Sequence, residues 1–444
     1  MRQPKWNRGI KSSLERRLFL CKIKITMSDK DWDHKILGKK LDLFTFSNTV
    51  GQGLPLWTAK GAVIRRELER FIVDEEIKRG YQHVYTPDIA KLDLYKKSGH
   101  YPYYKDSMYA PIDIDGDKFM LRPMTCPHHF ELYLSRPRSY RELPLRFAEL
   151  AKLYRYEQSG ELMGLQRVRS FCLSDAHIIA TPDQAEKEID SVLDLIEYVA
   201  DVLGLKYRSS KNVKGDYYYR LSLGDRNNSK KYYKNDNAWD KAEDILRNAL
   251  KKRGIDFTEA EDEAAFYGPK IDIQMWNANE KEDTAFTVQY DFVMSERFNL
   301  TFINQKGETE IPVIIHRSAI GAIERIIAFL IEKYKGDFPV WLSPVQAKIL
   351  PITERSLDYA YSVLKEMEKS GIRVELDDRQ ETLQAKIRDA QTEKIPYMII
   401  IGDREAKAGK ISLRLRTGEN INSLSTGDVI ERIKEKRDNK SQEL

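Results

Sequence analysis

The sequence predicts an α+β fold in two units, a large domain over residues 33–337 and a small α/β domain with a charged tail over 338–444. Three observations carry that expectation. Amphipathic helical runs mix with strand-like runs whose apolar residues recur at every second position, so neither period dominates the first unit. Two prolines and a serine interrupt the pattern at FPVWLSPVQ, residues 338 to 346. Beyond that break the rhythm becomes βαβαββα, which makes a small sheet with covering helices.

Taken in order, residues 1–32 form a basic leader, expected to be disordered or, because Met27 opens MSDKDWDHK, untranslated. From Asp42 the chain reads as turn, strand, long amphipathic helix and a strand ending at Pro87. Val63, Ile64, Leu68, Phe71 and Ile72 recur at helical spacing, and Arg65, Arg66, Glu69, Arg70 and Glu76 occupy the other positions. Residues 147–177 read as strand, charged loop and second strand, and residues 184–203 as an amphipathic helix. The stretch 208–236 is rich in Tyr and Lys; YYYR and KKYYK are expected on exposed strand and loop, solvated rather than stacked on RNA. A helix over 238–253 precedes a strand-rich stretch, 265–303, that contains the alternating TAFTVQYDF. In the small unit, strands AKILPI, IRVELDD, YMIIIGD and ISLRLR are interleaved with helices over 354–369, 381–393 and 426–436.

Composition narrows the function classes. The net charge is +5, but the first 26 residues hold eight Lys/Arg against the single acid Glu15 and contribute +7, leaving −2 for the remainder. A body of that charge is no generic polyanion binder, so RNA contacts would need local basic patches. Cys21, Cys126 and Cys172 are an odd, widely spaced set, which argues against a disulfide framework and for a reducing, cytoplasmic setting. The apolar run IIAFLI, 326 to 331, is far short of the roughly 20 residues a membrane span needs, so no membrane partner is expected.

The most informative run is FAELAKLYRYEQSGELMGLQRVRSFCLSDAH, Phe147 to His177. On a strand, Arg155 and Glu157 share one face, where a cation can meet a phosphate and a carboxylate can accept an amine. Arg167 follows as a second phosphate clamp, and Phe171 as a flat apolar surface for a base. This arrangement resembles motif 2 of the class II aminoacyl-tRNA synthetases. MTCPHH (124 to 129), DAHI (175 to 178), AFYGPKID (265 to 272) and HRSAIGAIER (316 to 325) narrow the resemblance to threonyl-tRNA synthetases, over about Asp33 to the C-terminus.

The resemblance implies a catalytic domain built on an antiparallel sheet flanked by helices, followed by an anticodon-binding domain. It implies ligation of threonine to threonine tRNA with ATP and Mg2+, and a homodimer formed through the helix near Val63. Cys126, His177 and His316 alone would read as a buried thiol and two structural histidines; within their motifs they become ligands for one zinc ion per subunit. Zinc with an open position selects the hydroxyl of L-threonine over the methyl of valine, and Asp175 accepts the hydroxyl proton. Arg155, Arg167 and Arg325 serve the phosphates, Glu157 the adenine amine, and Phe171 and Arg325 the two faces of the adenine. Gln289 joins the ATP pocket, and Tyr267 and Lys270 the threonine pocket. A neutral His100 assists transfer to the tRNA ribose. Arg379, Glu405 and Arg414 contact the anticodon.

Two positions depart from the family pattern, Leu173 with Ser174 and Asp283 with Thr284. Only about 33 residues precede the catalytic resemblance, so no editing in cis is expected, and the cell either supplies editing of seryl-tRNA from a separate protein or tolerates the error. The alternatives are a prolyl-tRNA synthetase, which needs no hydroxyl-reading metal, and a catalytically inactive synthetase-like RNA-binding or regulatory protein.

Overall fold

The computed structural model of the protein describes residues 32–209, 214–278 and 280–444. The basic leader, Cys21 included, lies outside the described residues, apart from Trp32.

Eight strands form the main sheet: β1 (Gln82–His83), β2 (Leu145–Tyr154), β3 (Ser170–Ala180), β4 (Tyr217–Ser222), β5 (Phe257–Ala260), β6 (Lys270–Trp276), β7 (Glu282–Asp291) and β8 (Val313–Ser318). Their spatial order is β5-β4-β6-β7-β8-β3-β2-β1. The six central strands pair antiparallel, and β1 and β5 add parallel edges. Strand alternation sends every second side chain to each face. On β3 and β8, Cys172, Ala176, Ile178, Ala180 and Ile315 enter the main core, whereas Ile179 and Ile314 join a smaller cluster on the other face.

Helices cover the main-core face. α1 (His34–Lys40), α2 (Ala59–Lys78), α4 (Ala185–Val202), α5 (Asp236–Lys252) and α6 (Ile323–Tyr334) supply the residues that fill it. The opposite face is only partly covered, by α3 (Cys126–Leu134) and the short segments around residues 92–108. The part left open is the site described below.

The long helix forms where its periodicity predicts, with Ile64, Leu68, Phe71 and Ile72 buried; Thr58 caps it by accepting the Gly61 N–H. Two of its charged residues do not lie on a polar face. Glu76 is 1% exposed, pairs with the fully buried Arg317 at 2.5 Å, and accepts from His83 and Ser174. Arg65 reaches Glu324 on α6, whose other oxygen accepts the Cys172 N–H. Glu76 sits four and eight residues after Ile72 and Leu68, on the apolar stripe itself, and a partnered charge can occupy such a place. The following strand is shorter than expected, ending at His83 rather than Pro87.

YYYR is a correction. It is strand β4, paired on both sides inside the sheet, with Tyr217 and Tyr219 buried in the main core and Tyr218 stacked on Trp276. The β-branched and apolar content that usually marks an inner strand is missing there, because tyrosine rings supply the apolar surface. KKYYK is loop, as expected, though Tyr232 is buried against Trp239. Residues 210–213 of that stretch lie outside the described residues.

The small domain carries β9 (Ala347–Pro351), α7 (Leu357–Lys369), β10 (Val374–Leu376), α8 (Leu383–Thr392), β11 (Tyr397–Ile401), α9 (Asp403–Ala408), β12 (Ile411–Leu415), β13 (Asn420–Leu424) and α10 (Thr426–Asp438). The order β10-β9-β11-β12-β13 joins three parallel strands to two antiparallel ones. Helix α9 and strand β13 were not foreseen. FPVWLSPVQ breaks the periodicity as expected, yet Phe338, Val340, Trp341 and Leu342 are buried, Trp341 against Phe71 of α2.

Candidate functional site

Three distant segments converge on the open face of the sheet. Cys126 opens α3, and His177 on β3 stands directly across from His316 on β8. Their ligand atoms lie within 4.8 Å of one another, and all three residues are buried. The far nitrogen of each imidazole is taken. His316 Nε2 meets Asp291 Oδ2 at 2.7 Å, and the other Asp291 oxygen accepts the N–H groups of Val293 and Met294. His177 Nδ1 meets His129 Nδ1 at 2.8 Å, and His129 Nε2 meets Glu149 at 3.3 Å. Glu149 is held in turn by Arg122 and Thr86. With the His177 Nδ1–H donating to His129 Nδ1 and the His129 Nε2–H donating to Glu149, His177 Nε2 keeps its lone pair facing the site. Burial, with His316, His129 and Arg317 nearby, holds the His177 ring well below its ordinary pKa and therefore neutral. Burial, aided by Asp175 and Asp291, pushes the Cys126 thiol well up. One thiol and two oriented imidazoles, with no carboxylate among the three, fit zinc with one position open.

These residues form one wall of a cavity of about 630 Å³. Arg155, Glu157, Arg167, Asp175, Tyr267, Lys270, Gln289 and His100 line the same cavity. Asp175 precedes His177 by two on β3 and shares its face, as the alternation predicts; burial raises its carboxyl above the ordinary range. The Tyr267 hydroxyl donates to Gln289 Oε1 at 2.7 Å, and its ring stacks on His316. Lys270 pairs with Asp272 at 2.9 Å.

Arg155 and Glu157 differ from expectation in one respect: β2 ends at Tyr154, so both lie just past the strand. The Arg155 N–H still donates to the Arg169 carbonyl, which keeps the chain extended enough for both side chains to face the cavity. The Arg155 guanidinium lies over the Phe171 ring, 5.2 Å from its centre. Phe171 and Arg325 lie outside the cavity lining, Phe171 against Arg155 and Arg325 against the loop that carries Arg167. Arg325 on α6 donates to the carbonyls of Gln166 and Thr284 and pairs with Asp283 at 3.1 Å. Gly321 ahead of it has φ +72°, and a Cβ there would lie 2.1 Å from the Ala285 carbonyl oxygen, so the turn from β8 into α6 needs glycine.

The two departures have distinct surroundings. Leu173 faces the cavity, whereas Ser174 faces the helices and donates to Glu76. Asp283 is the partner of Arg325.

His100 is 2% exposed, with Nδ1 2.7 Å from Ser98 Oγ and its ring edge against Phe266 and Tyr267. Burial, with His316, Arg297 and Arg155 around it, pushes its pKa down to about 3. In the small domain, Arg379 follows β10 and binds Asp377 and Asp389, and Glu405 in α9 accepts from Gly402 and Ser412. Both stand at the carboxyl ends of parallel strands. Arg414 lies further along β12 and donates to Gly418 and Asn420.

Sequence reasoning missed His129, Glu149 and Asp291, the residues that orient the imidazoles. A signal existed for each: His129 stands inside MTCPHH, Asp291 follows Gln289 by two on β7, and Glu149 lies on the same face of β2 as Leu153.

Residues 109–334 match the class II core domain of tRNA synthetases (G, H, P, S and T), and residues 346–436 match an anticodon binding domain. The chain is 48% identical over 406 residues to the threonine–tRNA ligase of Geobacillus sp. (strain WCH70), which covers 91% of this chain and 62% of that one. It is 50% identical over 391 residues to the threonine–tRNA ligase of Geobacillus kaustophilus, covering 88% and 58%. Among solved structures, the RNA binding domain of threonyl-tRNA synthetase from Cryptosporidium parvum aligns with a TM-score of 0.84 at 37% identity, over 91% of this chain and 98% of that chain. The chain thus spans about three fifths of the length of the curated relatives it matches.

Proposed function

Because the chain belongs to the threonyl-tRNA synthetase family of class II synthetases, we propose that it activates L-threonine with ATP and transfers it to threonine tRNA. The observation that carries this reading is the convergence of Cys126, His177 and His316 with Arg155 around one cavity. When bound, zinc supplies an open coordination position for the amino and hydroxyl groups of threonine. Asp175 accepts the hydroxyl proton, and Tyr267 and Lys270 close the amino-acid end.

In activation a threonine carboxylate oxygen forms a bond to the α-phosphorus of ATP, and the bond from that phosphorus to pyrophosphate breaks. The nucleophile is already an anion, so the protein positions and neutralises rather than deprotonates. Arg155 meets the α-phosphate, Arg167 and Arg325 the phosphate tail with its Mg2+, and Glu157 the adenine amine. Phe171 and Arg325 hold the two faces of the adenine, and Gln289 completes the pocket. Arg379, Glu405 and Arg414 read the anticodon.

The reading extends to assembly and location. The single chain leaves Ile77, in the last turn of α2, 55% exposed and Tyr85, just past β1, 92% exposed, which supports a homodimer through that part of the chain. The free thiols of Cys126 and Cys172 support a reducing, cytoplasmic setting. Among the described residues, no helix is long and apolar enough to cross a membrane.

Threonine-dependent exchange of labelled pyrophosphate into ATP tests the whole reading. Exchange with threonine and none above background with valine or proline is expected; exchange that follows proline, or none with any amino acid, would reject it. His100 is proposed for the transfer step. Burial holds its ring neutral, and because the Ser98 hydroxyl donates to the Tyr95 carbonyl, Nδ1–H donates to Ser98 Oγ and Nε2 keeps the lone pair that accepts from the ribose hydroxyl. His100→Ala is expected to slow single-turnover transfer from preformed adenylate about 10²-fold while exchange stays within twofold. An unchanged transfer rate would remove it from the mechanism.

A further inference from the structure

A second buried group of acids and imidazole lies outside the cavity, where Asp33, His34 and Glu332 bring their ligand atoms within 4.8 Å of one another. Its geometry is that of a clasp rather than a metal site. The Leu165 N–H donates to His34 Nε2 at 3.1 Å, so Nε2 must be the acceptor and the ring proton sits on Nδ1. That proton is donated to Glu332 Oε1 at 2.6 Å. Both ring nitrogens are thus engaged, with no lone pair left for a cation.

The clasp joins three elements that the sequence keeps far apart: the first helix α1, the last turns of α6, and the loop between β2 and β3. Glu332 uses its second oxygen to accept the Ala278 N–H at 2.7 Å. In the loop, Met163 and Arg167 pair backbone to backbone, closing a turn that has Leu165 at its centre. The ring of His34 packs so tightly under this turn that a Cβ at Gly164, whose φ is +52°, would lie 2.2 Å from Nε2. The next residue, Gln166, is 2% exposed; its side chain accepts from Asn277, and its carbonyl accepts Arg325 Nε at 3.1 Å. The residue after that is Arg167, which lines the cavity. The hydrogen bond from Leu165 to His34 therefore braces the turn that carries Arg167 and whose Gln166 carbonyl holds Arg325.

We infer that His34 is a positioning residue for ATP, acting through the Leu165 N–H to hold the 163–167 turn so that Arg325 and Arg167 present their guanidiniums to the phosphate tail. This rests on the assignment of ATP to the cavity. His34 itself touches no substrate, and the amino-acid end of the cavity is built from other strands, so its loss should reach ATP and not threonine.

The two nitrogens can be separated chemically. The amide of asparagine reaches the place of Nδ1 and can donate to Glu332; the longer glutamine carries its carbonyl to the place of Nε2 and can accept from Leu165. In the full chain, His34→Ala is expected to weaken ATP binding, read by calorimetry, about ten- to a hundredfold, since a displacement of about 1 Å carries a penalty of that order. His34→Gln is expected to recover most of the loss and His34→Asn little of it. Zinc content and the threonine KM in pyrophosphate exchange should stay within twofold of wild type. ATP affinity unchanged in all three variants, ATP and threonine terms falling together, or rescue by Asn equal to rescue by Gln would each overturn the inference. Loss of threonine-dependent exchange in the wild-type protein would instead reject the proposed activity, and the ATP titrations would still decide the role of His34.

Discussion

Cys126→Ser is expected to release zinc and to lower threonine activation about 10⁴-fold, the factor that a site built around a hydroxyl contact gives up when that contact is lost. The expectation follows from the division of labour in the site. His177 and His316 are oriented from behind by His129 and Asp291, so their lone pairs stay in place, and the thiolate is the soft ligand that completes the set. Burial, aided by Asp175 and Asp291, pushes the Cys126 thiol up, so a cation is what would stabilise the thiolate there; a serine hydroxyl, far less acid, would not ionise. Elemental analysis and pyrophosphate exchange on the purified variant check both halves. Cys172→Ala serves as the control: that thiol faces the helices, beneath Glu324 and Arg65, and its loss should leave zinc and exchange intact. Normal zinc content in the Cys126 variant would remove the thiol from the site.

Arg155→Ala is expected to lower kcat for exchange about 10² to 10³-fold, the usual cost of removing one preorganised donor from developing charge, while zinc content is unchanged. Arg155 stands at the point where β2 gives way to the loop, with Nε 3.3 Å from the Pro123 carbonyl and its plane over Phe171. Both contacts orient the guanidinium before substrate arrives. Arg155→Lys should recover little, because an ammonium cannot reproduce the planar fork or lie flat on the ring. The two variants together distinguish the ends of the cavity: one should lose metal and amino-acid selection, the other only phosphate chemistry. A kcat within threefold of wild type for Arg155→Ala would exclude it from the α-phosphate.

The elements, and the chemistry carried in short motifs, are legible in the order of the amino acids. Helical spacing located α2 and α4, and the alternation of side chains along β3 put Asp175 and His177 on one face, because both periods belong to the backbone and need no partner. Arg155, Cys126, His177 and His316 stood out through motifs, and they line one cavity. Which face meets which depends on the packing of the whole chain. Glu76 and Arg317 lie 241 residues apart and are buried together, so helical spacing alone cannot show that Glu76 sits on the apolar stripe with a partner. In sequence YYYR looks like surface because aromatic and basic residues mix on many surfaces, and only pairing on both sides buries Tyr217 and Tyr219. The end of β2 before Arg155, the short helix α9 and the strand β13 depend on contacts too local or too distant for a period to register. The closure of His34 on Leu165 and Glu332, 131 and 298 residues away, follows the same rule: hydrogen bonds reach only about 3 Å, and which groups come within that reach is settled by the packing of the whole chain.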